Sequence, residues 1–370
     1  MTRVAWVLVI QAFLLTAALA DTGKTQLGAI LDEARAEQNV PGVSAMVIRN
    51  NEIVFAGGSG VADIASGRPA TADTPFYIGS VTKVLTAILT LHLVDEAMLR
   101  LDDPVPGIAV ATPGGAPTVT VRHLLSHSSG LEREGNFNYW FTADFPDADA
   151  LSTYLANTSL RTPPGTRLHY SNIGFAALGR MLELETKTSF GTALQQRVLH
   201  PLGMHATGAN GPAPNVAQGY TPVDRILPSP SRPFAGVGER VGNRHARMYH
   251  DARAMSPAFG AYSTANDMAQ LAMFLLGNGN KQVLSRENRE AMRERQPTGR
   301  GLGLGLERYG DRILATHGGW FAAHRAQLLI DAESGIAVVV LTNSDNASPR
   351  RIADALYRAA REEHADRSSR

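Results

Sequence analysis

Gly79-Ser80-Val81-Thr82-Lys83 opens a run, Val84-Leu85-Thr86-Ala87-Ile88-Leu89-Thr90-Leu91-His92-Leu93-Val94, that is apolar almost throughout. A stretch this long and this apolar predicts a buried helix over Val81–Val94, with Ser80 at its start. Residues three apart share a helix face, so the Lys83 amine can approach the Ser80 hydroxyl. A serine hydroxyl is a weak nucleophile until a neighbouring base takes its proton. A lysine whose pKa is lowered by burial can be that base, whereas arginine stays charged. The positive end of the helix also favours negative charge developing near Ser80. The same residues fit a plainer role, an N-capping serine and a lysine reaching out of an apolar helix. A chain of 370 residues with 21 Ser and 4 Lys yields about 0.2 such tetrads by chance. The tetrad alone does not decide.

Outward from this helix, the pattern changes on both sides. Helical spacing continues through Ile173–Leu184 and Met268–Leu276, with Gly- and Pro-rich loops between and the most irregular stretch at Gly211–Pro233. Upstream, Val43–Ile48 and Ile53–Ala56 read as a hairpin turning at Asn50-Asn51, preceded by a helical face of Leu27, Ile30, Leu31 and Ala34. Downstream, His324–Ile330 and Ile336–Thr342 flank a turn at Asp331–Gly335, and Ile352, Leu356 and Ala359 mark a last helix. Hairpins at both ends and helices in the middle predict an α+β fold. It is an antiparallel sheet built from both termini and flanked by helices, with an inserted helical lobe. The expected division is a sheet lobe from about 21–78 and 257–370 and a helical lobe over about 79–256.

Composition narrows the chemistry. With 35 Lys plus Arg against 34 Asp plus Glu, no concentrated positive surface suggests nucleic acid as a partner. The absence of Cys removes disulfides, thiolate metal sites and a thiol nucleophile. Of the basic residues 31 are Arg, and the four Lys are Lys24, Lys83, Lys187 and Lys281; only Lys83 falls in an apolar helix. Arg3, the apolar run Val4–Ala17 and Ala18-Leu19-Ala20 describe a secretory leader cleaved after Ala20. The run is short for a membrane span, so a periplasmic or secreted protein without a stable anchor is expected.

Other motifs are weaker or point the same way. There is no G-x-S-x-G elbow. His123 and His127 stand four apart on an expected helix, but Leu124 replaces the Glu of H-E-x-x-H, and packing explains them better. Gly301-Leu302-Gly303-Leu304-Gly305 lacks dinucleotide spacing. In Tyr170-Ser171-Asn172, just before the helix from Ile173, alternate residues of an extended strand share a side. There a phenol could relay a proton and an amide could hold a carbonyl, or Ser171 or Asn172 could simply cap the helix. In His317-Gly318-Gly319-Trp320 the paired Gly permit close backbone approach, or form a turn beside a surface His. Phe137, Tyr139, Trp140 and Phe141 could rim a pocket or pack the lobe, and Arg240, Arg244, Arg247 and Arg253 read as a solvated basic loop.

Together, Ser80 to Lys83, Tyr170 to Asn172 and His317 to Gly319 resemble the S-x-x-K, Y-x-N and K-T-G or H-x-G motifs of the serine β-lactamase and penicillin-recognising family. The likeness is strongest to its class C and DD-carboxypeptidase branch. Leu101-Asp102-Asp103-Pro104, Thr120–Leu131, Pro201–Met204 and Ser263–Asp267 resemble the family's connecting segments, so the resemblance spans nearly the whole mature chain. Ser344-Asp345-Asn346 spells a class A motif but comes out of order. The resemblance implies that Ser80 is acylated and that Lys83 and Tyr170 share the proton transfers. Asn172 would hold the substrate amide and the Lys83 ammonium, His317, Gly318 and Gly319 would line the substrate, and the backbone N–H groups of Ser80 and Trp320 would form the oxyanion hole. No metal or organic cofactor is implied, and the partner is a small-molecule or peptide acyl substrate. His317 would titrate near neutrality. Gly318 stands where many relatives have a carboxylate-binding Thr, which favours a neutral ester, and Arg325 could replace that contact. The expected activity is hydrolysis of an ester, D-amino-acid peptide or β-lactam; the alternative is a penicillin-binding sensor or carboxypeptidase-like protein that acylates with little turnover.

Overall fold

The computed structural model describes residues 25–108, 118–211, 214–225, 237–247, 251–278 and 282–368. The expected leader, Lys24 and Lys281 lie outside these residues.

Seven antiparallel strands form the central sheet: β1 (Gly42–Arg49), β2 (Glu52–Asp63), β3 (Arg68–Pro69), β4 (Gly305–Tyr309), β5 (Arg312–Phe321), β6 (His324–Asp331) and β7 (Ile336–Thr342). Their order is β3-β2-β1-β7-β6-β5-β4, so strands from the two ends of the chain meet at the β1/β7 seam, in register from Val43↔Thr342 to Arg49↔Ile336. The first hairpin turns on Asn50 and Asn51, both at positive φ, the backbone that a two-residue turn between right-twisted strands requires. All seven residues of β7 are buried, because both faces of the sheet are covered.

Alternation along the seam sorts the two cores. Val43, Ala45 and Val47 of β1 and Val338 and Val340 of β7 pack on one face against Leu27 and Leu31 of α1 (25–37) and Ile352, Leu356 and Tyr357 of α8 (Pro349–Ser368). Met46, Ile48, Val339 and Leu341 point the other way, into a larger core shared with the helices of the middle of the chain. Those that shape the site are α2 (Thr82–Asp95), α3 (Val121–Leu125), α4 (Tyr139–Thr142), α5 (Asn172–Thr186), α6 (Ser256–Phe259) and α7 (Ala265–Leu276). The middle is not purely helical: Tyr220–Pro222, Val237–Val241 and Arg244–Arg247 form a small three-stranded sheet.

Two sequence expectations change here. His127 lies beyond α3, at φ 55, and shares no helix face with His123. Arg244 is no solvated loop residue: it is buried and donates to Ser344 Oγ (2.9 Å), Asn346 Oδ1 (3.2 Å) and the Asn39 carbonyl. Ser344 and Asn346 of the out-of-order motif thus hold a structural arginine.

Candidate active site

Ser80 sits in a 3₁₀ turn, Gly79–Val81, that runs directly into α2. The turn presses against β5 where that strand has lost its neighbour, since β4 pairs it only from Arg312 to Thr316. Glycine permits this contact on both sides. Gly79 has φ +51 and a Cβ there would collide with the Trp320 backbone; a Cβ on Gly319 would collide with the Ile78 carbonyl oxygen and lie 3.2 Å from Ser80 N. The β5/β6 hairpin turns on Ala322 and Ala323, with Phe321 opposite His324. Hydrogen-bonded and non-bonded pairs alternate from that closing pair, so Trp320 is non-bonded and its N–H points away from β6, toward Ser80. The two backbone N–H groups expected to form an oxyanion hole therefore belong to backbone segments in close contact.

Lys83, one turn after Ser80, is fully buried, and its Nζ bonds to Asn172 Oδ1 at 2.7 Å, Ala258 O at 2.7 Å and Ser80 Oγ at 3.2 Å, with the Tyr170 phenol also interacting with it. Two of these are carbonyl oxygens, which accept only. They take two N–H protons whether the amine is charged or neutral, and the third direction, toward Ser80, holds a proton in the ammonium and the lone pair in the neutral amine. Burial pushes the lysine pKa down, opposed by the nearby Tyr170 phenol and Glu134, so the neutral form becomes accessible. Nζ also lies 4.9 Å from the centre of the Tyr170 ring.

Asn172 begins α5, whose N-cap is Ser171, with its hydroxyl accepting from Gly174 N at 2.9 Å. Tyr170 is stacked on His127, ring centres 4.2 Å apart. The Ser171 N–H donates to His127 Nδ1 (3.1 Å), so the His127 proton is on Nε2. His317 approaches Tyr170 with ring centres 6.5 Å apart; its Nδ1 donates to Gly318 O at 2.8 Å, leaving Nε2 a buried acceptor without a hydrogen-bond partner. Burial, with Lys83 and Arg300 close by, holds His317 down at about 3. Against the expected titration near neutrality, this burial favours the neutral imidazole.

The cleft above Ser80 has a volume of about 490 Å³ and includes Tyr170, Asn172 and His317 to Trp320 in its walls. At the Trp320 end it is aromatic: Trp140 of α4 lies 5.0 Å from both Trp320 and Phe259. Of the sequence's aromatic cluster only Trp140 faces the cleft, while Tyr139 is buried with its hydroxyl on Glu134. At the Thr316 end the wall is charged, with Arg300, and with Glu307 bonded to Arg350 and to Thr316 Oγ1 (2.7 Å). Asp345, from the out-of-order motif, accepts from Trp320 Nε1 at 2.7 Å.

Sequence reasoning missed Glu134, Arg300 and the Ala258 carbonyl. Glu134 accepts from Asn172 Nδ2 at 2.9 and 3.0 Å, occupying the amide end expected to meet substrate. Arg300 lies 5.8 Å from the Tyr170 ring centre. It is carried there by the Gly-rich stretch after it, where a Cβ on Gly303 would collide with Ala87 of α2. That close approach was the available signal. Among the described residues no group of His, Asp and Glu is arranged to hold a metal ion, and no helix is long and apolar enough to cross a membrane.

The β-lactamase family model matches residues 27–363. Penicillin-binding protein 4 of Amycolatopsis lactamdurans is 38% identical over 182 residues, 47% of this chain and 46% of that protein. Esterase EstB of Burkholderia gladioli is 29% identical over 359 residues, 86% of this chain and 90% of the esterase. The match thus spans about half the length of the first relative and nearly all of the second. Among solved structures, the octameric penicillin-binding protein homologue from Pyrococcus abyssi superposes with a TM-score of 0.75 at 26% identity, covering 91% of this chain and 76% of that one. The D-amino acid amidase of Ochrobactrum anthropi SV3 shares the fold, with a TM-score of 0.78 at 24% identity and coverage of 93% and 99%.

Proposed function

Because the chain belongs to the β-lactamase family, we propose that it is a serine hydrolase, and that it cleaves an ester through an acyl-Ser80 intermediate with Lys83 as the acylating base. The arrangement of the Lys83 amine carries this reading. Two of its three directions are taken by carbonyl oxygens, and the third meets Ser80 Oγ. As Oγ attacks the substrate carbonyl, its proton moves to the Nζ lone pair. The carbonyl oxygen gathers negative charge between the N–H groups of Ser80 and Trp320, where one such donor contributes about 10²–10³ in rate. The proton then passes by way of the Tyr170 phenol to the departing alkoxide. In deacylation water attacks the acyl carbonyl, gives a proton to the same pair, and Ser80 recovers its own. His317, being neutral, contributes an acceptor at Nε2 rather than a charge.

Gly318 supports an ester: residue 318 brings no hydroxyl to bind a substrate carboxylate, and the aromatic wall of Trp140, Phe259 and Trp320 suits an apolar acyl group. Arg300 favours a second reading, a D-amino-acid peptide whose carboxylate would lie at the charged end of the cleft. Export, with cleavage after Ala20, belongs to the same proposal and rests on the composition of residues 1–20.

Incubation with p-nitrophenyl butyrate, nitrocefin and a D-Ala-D-Ala peptide, following turnover and covalent mass, tests these readings. Ester turnover that disappears in Ser80→Ala is expected. Turnover that survives the substitution sinks the mechanism, and a stable adduct without turnover favours the sensor alternative.

A further inference from the structure

One charged group beside the catalytic residues has no part in the steps above. Glu134 lies between α3 and α4 with its side chain only 20% exposed. It collects donors from three residues: Asn172 Nδ2, the Tyr139 hydroxyl and Arg133 Nε at 3.1 Å. The segment carrying it is fastened to the start of α5, where the Asn172 and Ile173 N–H groups donate to Arg133 O at 2.8 and 3.2 Å.

An asparagine amide has one donating and one accepting end, and a half-turn exchanges them at little steric cost. In this site the two orientations are far from equivalent. With Oδ1 toward Lys83, every group meets its complement. With the amide reversed, Nδ2 would face the lysine amine, donor against donor, and Oδ1 would face a carboxylate. Lys83 alone selects weakly once it is neutral, since its lone pair could then turn to Nδ2. A carboxylate cannot donate, so it selects in both states.

We propose that Glu134 is a positioning residue of the catalytic centre: it fixes the Asn172 amide with Oδ1 toward Lys83, and so keeps the amine's lone pair directed at Ser80. The proposal rests on Lys83 being the base. The groups facing Lys83 are the Tyr170 phenol, Glu134, Arg133, and the buried histidines His127 and His317; of these Glu134 alone is a carboxylate. Its charge favours the ammonium, so removing the charge lowers the lysine pKa further.

Glu134→Gln keeps the shape and removes both the charge and the acceptor-only character. The expected result is an acidic limb of kcat/KM moved about one pH unit lower, with kcat reduced about tenfold to a hundredfold. Glu134→Asp keeps the charge but shortens the reach, so kcat should fall while the limb stays. In an Asn172→Ala background Glu134→Gln should change kcat no further, because its positioning effect passes through that amide, while the shift of the acidic limb, a direct effect of the charge, should remain. A direct readout avoids turnover altogether: with four Lys in the chain, ¹³C-lysine NMR resolves Lys83, assigned by its loss in Lys83→Arg. Its midpoint should fall in Glu134→Gln and hold in Glu134→Asp. An unchanged midpoint in Glu134→Gln, or effects of Glu134→Gln and Asn172→Ala on kcat that simply add, overturns the proposal. Absence of turnover of the ester, the peptide and nitrocefin alike in the parent protein would instead remove the base assignment, while the NMR titration still reports on Glu134.

Discussion

Gly318 and Gly319 are adjacent, yet their surroundings demand different things. A Cβ on Gly319 has nowhere to go, because the Ile78 carbonyl oxygen occupies its place. Gly319→Ala should push β5 off the turn that carries Ser80, part the two N–H groups, and lower kcat/KM for p-nitrophenyl butyrate by about 10²–10³. A Cβ on Gly318 meets Gln327 Oε1 at 3.4 Å and Ala326 O at 3.9 Å, ordinary contacts. Gly318→Thr should therefore fold with an unchanged melting temperature and place a hydroxyl in the cleft, raising the rate on a D-Ala-D-Ala peptide relative to the ester. Equal losses in the two variants would contradict this account. Ser80, Lys83, Tyr170 and Asn172 were legible in the sequence because each pair is set by local geometry, one helical turn or one helix start. Glu134 was not legible: an acid among charged neighbours, Glu132 and Arg133, carries no pattern that separates it from a solvated loop.

Between elements, the site depends on a short helix with no side-chain chemistry of its own. α6 supplies Lys83 with the Ala258 carbonyl and Thr86 with the Pro257 carbonyl, at 2.7 Å each. It is seated against α5 at Gly179, where a Cβ would collide with the Pro257 ring. Gly179→Ala should displace α6, cost about 1–3 kcal/mol by overpacking, and remove one of the two oxygens that orient the amine. Both the melting temperature and kcat should fall although residue 179 touches no substrate; a variant less stable but equally active would show that Ala258 O does not orient Lys83. Such a backbone carbonyl leaves no mark in a sequence. The sheet was more visible: the Asn50-Asn51 turn and the alternating faces of Val43–Ile48 come from local preference and burial, which a sequence displays directly. The helix expected to carry His127 ended sooner, at Leu125, and the basic run at Arg244 hid a buried residue. Tertiary hydrogen bonds decided both.

For the molecule as a whole, the two buried histidines beside Tyr170 couple stability to pH. Burial holds His127 well below the ordinary imidazole range and His317 at about 3, whereas in the unfolded chain each titrates near ~6.5. In the interval between, the unfolded chain binds more protons. Stability is therefore fully present above the unfolded value and is lost as pH falls toward the folded ones, at about 1.4 kcal/mol per pH unit for each group. The melting temperature should drop steadily between about pH 6.5 and pH 4, and His317→Gln should flatten that slope; a profile of the same slope in the variant would refute the assignment. The seam between β1 and β7 has another consequence. Gly42 N donates to Asn343 Oδ1 across 301 residues, and Ser80 meets its partner Trp320 from 240 residues further along. On the proposed mechanism, a growing or partly folded chain holds Ser80 and Lys83 early, one turn apart, but lacks the Trp320 N–H beside Ser80 until the last strands close the sheet. If the chain cleaves esters as proposed, activity should be a late event of folding, and the onset of ester cleavage during refolding would time the closure of that seam.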